Sequence, residues 1–253
     1  MNSLKGRTAL ITGAGQGVGR GIAIALAERQ VDVAVIGRTL AKIEGVCAEL
    51  EGLGVTARPY AFDVTDKDNV VALVDRVAED FGRLDILVNN AYFGAYGRLL
   101  EMSSGEFQRG FRSGPFAAFD FMRAAHPHLV AQGGGSIVNL VTSAMVRWDP
   151  TTYGAYAAAK TALRSLTRTA AVEWGPDNIR VNSIAPHALS PGLQGWIERN
   201  PEESEAFIAS IPLKRVGDPV ADIGRAVAAL VGPDMQYLSG ATIPLDGAQA
   251  NFG

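Results

Sequence analysis

Thr12-Gly13-Ala14-Gly15-Gln16-Gly17-Val18-Gly19 joins a short apolar run, Arg7–Thr12 (RTALIT), to a stretch with helical spacing, Gly19–Arg29. The run before it is β-branched, apolar and cut off by glycine, which reads as a strand buried on both faces. In the stretch after it, Ile22, Ile24, Ala25 and Leu26 cluster toward one side, as a helix lying on a sheet requires. A phosphate needs backbone N–H groups aimed at it, and a side chain at the turn would block its approach. Glycine removes that obstacle, and the helix N-terminus adds positive potential. Such turns also serve as plain connections. The position at the first strand–helix junction of the chain is what makes this one read as a dinucleotide cradle.

The alternation continues outward from that turn. Val31–Ile36, Thr56–Phe62, Leu84–Val88, Ser136–Val141, Ile179–Ile184 and Thr242–Leu245 read as strands. Leu40–Glu51, Asp66–Phe81, Ser104–Val130, Tyr153–Trp174 and Asp218–Val231 read as helices, the last opened by a cap-then-proline pair, Asp218–Pro219. Strands alternating with helices over the whole length predict an α/β fold: one Rossmann-like, doubly wound parallel sheet of about seven strands, helices on both faces, in a single domain over 1–253. The one long irregular segment, 188–211, holds Pro191, Gly192, Gly195, Asn200 and Pro201 among short helical pieces and is expected to be a substrate-binding lid.

Bulk properties exclude several classes. The 253 residues carry a net charge of −3 with 47% hydrophobic and 19% charged residues, which is ordinary globular composition. No run of Lys or Arg argues for a nucleic-acid surface. Cys47 is the only cysteine, so an intramolecular disulfide and a Cys-rich metal site are both excluded, and no metal is expected. No apolar stretch reaches the roughly 18–20 residues of a membrane span, and Met1–Gly6 lacks a charged-then-apolar leader; a cytoplasmic protein is the expectation.

The end of the second strand speaks to the cofactor. In dinucleotide folds a carboxylate roughly 20 residues beyond the glycine turn holds the ribose hydroxyl, and an Arg there accommodates a 2′-phosphate. Gly37-Arg38-Thr39 stands at that place with no carboxylate, since Asp32 lies at the other end of the strand. Arg38 can stack on a ring and pair with phosphate, so NADP(H) is expected over NAD(H).

With these residues in hand the sequence resembles the short-chain dehydrogenase/reductase family, in its Tyr-x-x-x-Lys branch of 3-oxoacyl-carrier-protein-reductase-like members, from about Leu4 to Gly247. Thr12–Gly19 resembles the family's Thr-Gly-x-x-x-Gly-x-Gly, Asp63-Val64 its adenine-contacting pair and Asn89-Asn90-Ala91 its Asn-Asn-Ala-Gly. Tyr156-Ala-Ala-Ala-Lys160 matches Tyr-x-x-x-Lys, and Asn182–Pro186 and Asp246-Gly247 also fall in place. The resemblance implies catalysis by Ser143, Tyr156 and Lys160. It implies a cofactor held by Gly13, Gln16, Gly17, Val18, Gly19, Arg38, Asp63, Val64, Asn90, Tyr156, Lys160 and Leu189. It also implies a small-molecule alcohol or carbonyl substrate and a homotetramer or homodimer.

Residues four apart on a helix share a face, so Tyr156 and Lys160 can act together. A phenol titrates near pH ~10, and a nearby ammonium is expected to lower that value toward the working range. A third group should hydrogen-bond the substrate oxygen as charge builds there. Ser143 has the family's spacing, 13 positions before Tyr156, whereas Thr142 has its spacing from Asn139, so either hydroxyl could serve. The pattern is broken in three places: Phe111 stands where the family has a relay Asn, Tyr92 replaces the Gly of Asn-Asn-Ala-Gly, and His187 replaces the Gly after Pro186. The loss of the relay Asn keeps open a non-catalytic NADP(H)-binding sensor or partner protein. Tyr153, seven residues before Lys160, matches the enoyl-reductase spacing and keeps open reduction of a carbon–carbon double bond. Tyr92, Phe93, Tyr96, Trp148, Tyr153 and Trp196 are expected at strand C-terminal ends, which suggests an apolar or ring-containing substrate. His126 and His128 are read as structural.

Overall fold

The computed structural model describes residues 4–147 and 152–252. One sheet of seven parallel strands has the order β3-β2-β1-β4-β5-β6-β7. The strands are β1 (Thr8–Thr12), β2 (Asp32–Gly37), β3 (Ala57–Ala61), β4 (Ile86–Asn89), β5 (Gly135–Leu140), β6 (Ile179–Pro186) and β7 (Thr242–Leu245). Helices α1 (Gly17–Ala27), α2 (Leu40–Glu51), α3 (Val70–Phe81), α4 (Ser104–Phe111), α5 (Ala117–Ala131), α6 (Gly154–Glu173), α7 (Pro191–Arg199), α8 (Pro201–Ser210) and α9 (Arg225–Val231) complete the chain. Successive strand residues point to opposite faces. Accordingly Ala9, Ile11, Val33 and Val35 join one core with α1, α2 and α9, and Leu10, Ala34 and Ile36 join the other with α3 and α5. Pro59 and Pro244 lie in β3 and β7, the two edge strands, where a missing N–H costs no central ladder bond.

The strand order reverses between β1 and β4, and there the connections leave in opposite directions and open a crevice at the strand C-terminal ends. The glycine turn, residues 90–96 and residues 141–147 all border it.

Three elements differ from the sequence reading. The expected single helix over 104–130 is split by a π turn at Arg112–Phe116. Pro115 supplies no N–H and Gly114 takes a non-helical φ of −98° and ψ of −105°. Residues 66–69 form turns, with Asn69 Nδ2 donating to Asp66 Oδ2 at 2.9 Å, so the third helix starts at Val70. Segment 188–211 is largely two helices. Each opens on a proline, and Ser190 Oγ caps α7 by accepting from Leu193 N at 3.2 Å.

α1 packs on the π turn Pro219–Gly224 at backbone contact. A Cβ on Gly21 would strike the carbonyl oxygen of Pro219, and one on Gly224 would strike the carbonyl oxygen of Gly21. Backbone cannot yield as a side chain does. Gly21→Ala is therefore expected to destabilise the fold by about 1–3 kcal/mol, seen as a fall of several degrees in Tm. An unchanged Tm would show that the helix moves aside freely. Among the described residues, no helix is long and apolar enough to cross a membrane.

Candidate active site

The glycine turn leaves β1 with Gly13 at φ +67° and Gly17 at φ +57°, conformations that L side chains rarely adopt. Asn90 braces it from β4: its Nδ2 donates to the carbonyls of Thr12 and Gly13, both at 2.9 Å, and its N–H reaches Thr12 Oγ1 at 3.0 Å. Gly19 is required by the same brace, since a Cβ there would sit 2.5 Å from Asn90 Nδ2. Gln16 gives α1 no side-chain cap, which leaves the first-turn N–H groups available to a ligand.

Beside this turn lies a cavity of about 410 Å³, lined among others by Gly13, Gln16, Gly17, Val18, Val64 and Asn90. Arg38 lines its far end, with the guanidinium 4.5 Å over the Phe93 ring, and Lys42 lies beside it with Nζ 2.8 Å from Gln16 Oε1. No carboxylate is among the described residues that line it. Lys42 sits in the first turn of α2, outside any glycine or tyrosine motif, and its nearness to Arg38 in the sequence is the available signal. Asp63 and Leu189 do not line the cavity. The Asp63 carboxylate accepts from Thr65 N and Thr65 Oγ1 at 2.9 and 2.8 Å, and the neighbours of Leu189, Ala188 and Ser190, face the cavities in its place.

A second cavity of about 620 Å³ adjoins the first and shares Val18, Asn90, Tyr92 and Ser190 with it. Tyr156, Lys160 and Thr142 line it together. Tyr96, Tyr153 and Trp196 stand around it as expected, joined by Phe207 of α8 and by His187. Phe93 faces the first cavity instead, and Trp148 lies outside the described residues. A third space of about 290 Å³ continues past Thr142 and adds Arg147 and Gln249.

Lys160 is 2% exposed, and Nζ donates to the carbonyl of Leu140 at 2.6 Å. Burial pulls its pKa down to about 7. The Tyr156 phenol is pushed above its ordinary value, first by burial and then by the neighbouring Tyr96 phenol, against the hydrogen bond of Thr142. The sequence reading expected the lysine to lower this pKa. With the ammonium 5.8 Å from the ring centroid and tied to Leu140, burial outweighs it.

The two candidate hydroxyls part company here. Ser143 Oγ is 5% exposed and donates to Asp246 Oδ2, and it faces the third space only. Asp246 also accepts from Ala248 N and Ala250 N, at 3.1 and 3.2 Å, so this hydroxyl is engaged in anchoring the chain end. Thr142 borders the second cavity with the phenol, and its hydroxyl draws the phenol pKa down against burial. Phe111 stacks on Phe107 with centroids 5.2 Å apart and near Phe116, which fills the relay position with rings. His126 and His128 pair with Asp177 and Asp75 away from the site. His187 lies edge-on to Phe207 at 5.4 Å; its buried Nδ1 has no partner among the described residues, and burial lowers its pKa.

A family model described as Enoyl-(Acyl carrier protein) reductase matches residues 13–248. The 12α-hydroxysteroid dehydrogenase of Clostridium sp. is 38% identical over 98% of both chains. This chain is a short-chain dehydrogenase/reductase. A solved 7α-hydroxysteroid dehydrogenase complexed with NADH and 7-oxo glycochenodeoxycholic acid superposes with a TM-score of 0.91 and 32% identity, covering 98% of this chain and 96% of that one. A gluconate 5-dehydrogenase-like structure from Beutenbergia cavernae with bound NADP gives 0.89 and 30%, covering 98% of each chain. As a short-chain dehydrogenase/reductase the protein is an oxidoreductase of the class that moves hydride between a nicotinamide cofactor and an alcohol or carbonyl.

Proposed function

We propose that this short-chain dehydrogenase/reductase uses NADP(H) to interconvert a secondary alcohol and a ketone on a bulky, apolar, ring-containing skeleton. The observation that carries the reading is the meeting of Tyr156, Thr142 and Lys160 at the cavity that adjoins the glycine turn. When bound, the cofactor would give hydride to the ketone or take it from the alcohol. The turn and the α1 N-terminus would hold its pyrophosphate, and Arg38 with Lys42 its 2′-phosphate, a site without a competing carboxylate. Lys160 would hold ribose hydroxyls. The Tyr156 hydroxyl exchanges the proton with the substrate oxygen, and Thr142 donates a hydrogen bond to that oxygen. A phenol held above its ordinary pKa stays protonated at neutral pH, which suits it to giving a proton to a developing alkoxide.

Tyr156, not Tyr153, fits the proton role. Tyr153 is 44% exposed at the rim, and Tyr156 is the one that faces Lys160. Aromatic walls on a cavity of this size suit a fused-ring substrate, and two of the relatives act on or bind steroids. The two helices over 191–210 form the lid of this pocket, with Leu193, Trp196 and Phe207 toward the substrate. A homodimer or homotetramer would cover the exposed Phe116 and Phe119 of the α5 region and Val172 of α6.

The test is nicotinamide absorbance with fused-ring ketones and alcohols, using both cofactors, on the native protein and Arg38→Asp. NADPH turnover is expected to be preferred. The variant should lose about 10–100-fold in kcat/KM for NADPH, the worth of one or two charge-assisted phosphate contacts, and little for NADH. An unchanged preference would refute the cofactor assignment. Tight NADPH binding without turnover of any compound would favour a sensor.

A further inference from the structure

Lys160 is buried without a carboxylate. Among the described residues no Asp or Glu lines its cavity and the acceptor it reaches is the Leu140 carbonyl, although an ammonium carries three donors. The titratable groups facing it are the phenols of Tyr92 and Tyr156, with Tyr96 and Tyr153 beyond them, and His187 across the cavity. Tyr92 is the nearest of the rings: Nζ lies 4.9 Å from its centroid, against 5.8 Å for Tyr156. The Tyr92 ring also packs on the Tyr156 ring, centroids 4.8 Å apart and planes at 60°.

The ring is seated by missing side chains. A Cβ on Gly94 would strike the Tyr92 hydroxyl, one on Gly110 would come within 2.5 Å of it, and one on Gly114 would press on the ring at 3.3 Å. Yet the hydroxyl itself is buried with no hydrogen-bond partner among the described residues. The seat therefore fits a ring, and nothing in it uses the oxygen. The aromatic face is electron-rich and attracts an ammonium, most strongly where water is excluded.

We infer that Tyr92 is a positioning residue, whose ring face carries the Lys160 ammonium and whose edge packs the Tyr156 ring, so that the pair is held without a carboxylate and without the relay side chain that Phe111 replaces. This rests on the reading of Tyr156 and Lys160 as the proton-moving pair. Burial alone draws the lysine toward its neutral form; the ring opposes that and keeps the charge that the proton transfer needs. The hydroxyl is dispensable.

The experiment is a direct titration of Lys160 by its side-chain carbon shift in lysine-labelled protein, which contains five lysines, with Lys160→Met assigning the signal. The native protein, Tyr92→Phe and Tyr92→Leu are compared, and the pH profile of kcat/KM is recorded for each. In Tyr92→Leu the lysine is expected to titrate about one pH unit lower, with the matching limb of the pH profile displaced by the same amount. Tyr92→Phe should titrate as the native protein does. A Lys160 titration unmoved in Tyr92→Leu overturns the inference, and so does a Tyr92→Phe variant that shifts as far as Tyr92→Leu. If Tyr92→Leu does not fold, Tyr92→Met removes the ring with less loss of volume and is read by the same criteria. A Lys160 titration that moves as expected while Tyr156→Phe keeps full turnover would leave this inference standing and sink the proton-pair reading instead.

Discussion

Tyr156→Phe is expected to lower kcat/KM about 10²–10⁴-fold in either direction while NADPH affinity changes by less than about threefold. The range is that of a positioned general acid or base, and Phe keeps the ring packing against Tyr92 and Tyr96. The fall should appear in kcat, because the proton moves in the transition state and adds little to ground-state binding. The sign of the pH effect follows from burial: a phenol with a raised pKa is protonated at neutral pH and loses its proton only as pH climbs beyond its ordinary range. Ketone reduction in the native protein should therefore show no loss of this acid between about pH 6 and 9. Steady-state kinetics on both proteins checks the point. A Tyr156→Phe variant that retains more than a third of native turnover would remove Tyr156 from the chemistry.

Thr142→Val and Ser143→Ala are expected to part sharply. Thr142→Val keeps the shape and deletes the hydroxyl that faces the cavity, so kcat should fall about 10²–10³-fold, the usual loss for one donor to a developing oxyanion. Its structural cost is the short-range bond accepted from Ala144 N at 3.2 Å. Ser143→Ala deletes the donor to buried Asp246, so it should cost about 1–3 kcal/mol of stability and lower Tm, with kcat within about fivefold of native. Turnover and thermal melts of the two variants decide it together. Catalytic collapse in Ser143→Ala with an undisturbed Thr142→Val would return the role to Ser143.

The motifs that could be read from the chain were the local ones. Tyr156 and Lys160 share a face because one helical turn separates them, and the glycine turn lies where a strand's period gives way to a helix's. Those patterns rest on neighbours in sequence. Thr142 and Ser143 could not be ranked in that way. Two spacings, from Asn139 and from Tyr156, disagree by one residue, and which hydroxyl turns inward depends on Asp246, more than 100 positions away. The resemblance places Leu189 and Asp63 on the cofactor, and neither is among the residues that line the cavity beside the glycine turn. Gly114 and Pro115 lie inside the long helical stretch of the sequence and together break it at Arg112–Phe116.

Tyr92 shows the boundary most clearly. Its presence where a glycine is expected was plain in the chain, but its role was not. The three glycines that seat its ring come from its own loop and from the α4 region, and the ammonium it faces comes from α6. Periodicity, turn chemistry and the alternation of strands and helices, all carried by residues close in sequence, predict the sheet and its crevice, and the family resemblance of the motifs supplies the class of chemistry. The raised phenol and depressed ammonium, the choice of hydroxyl and the aromatic support arise only when segments distant in sequence exclude water from one another, because burial and contact distance belong to the packed molecule and to no single stretch of it.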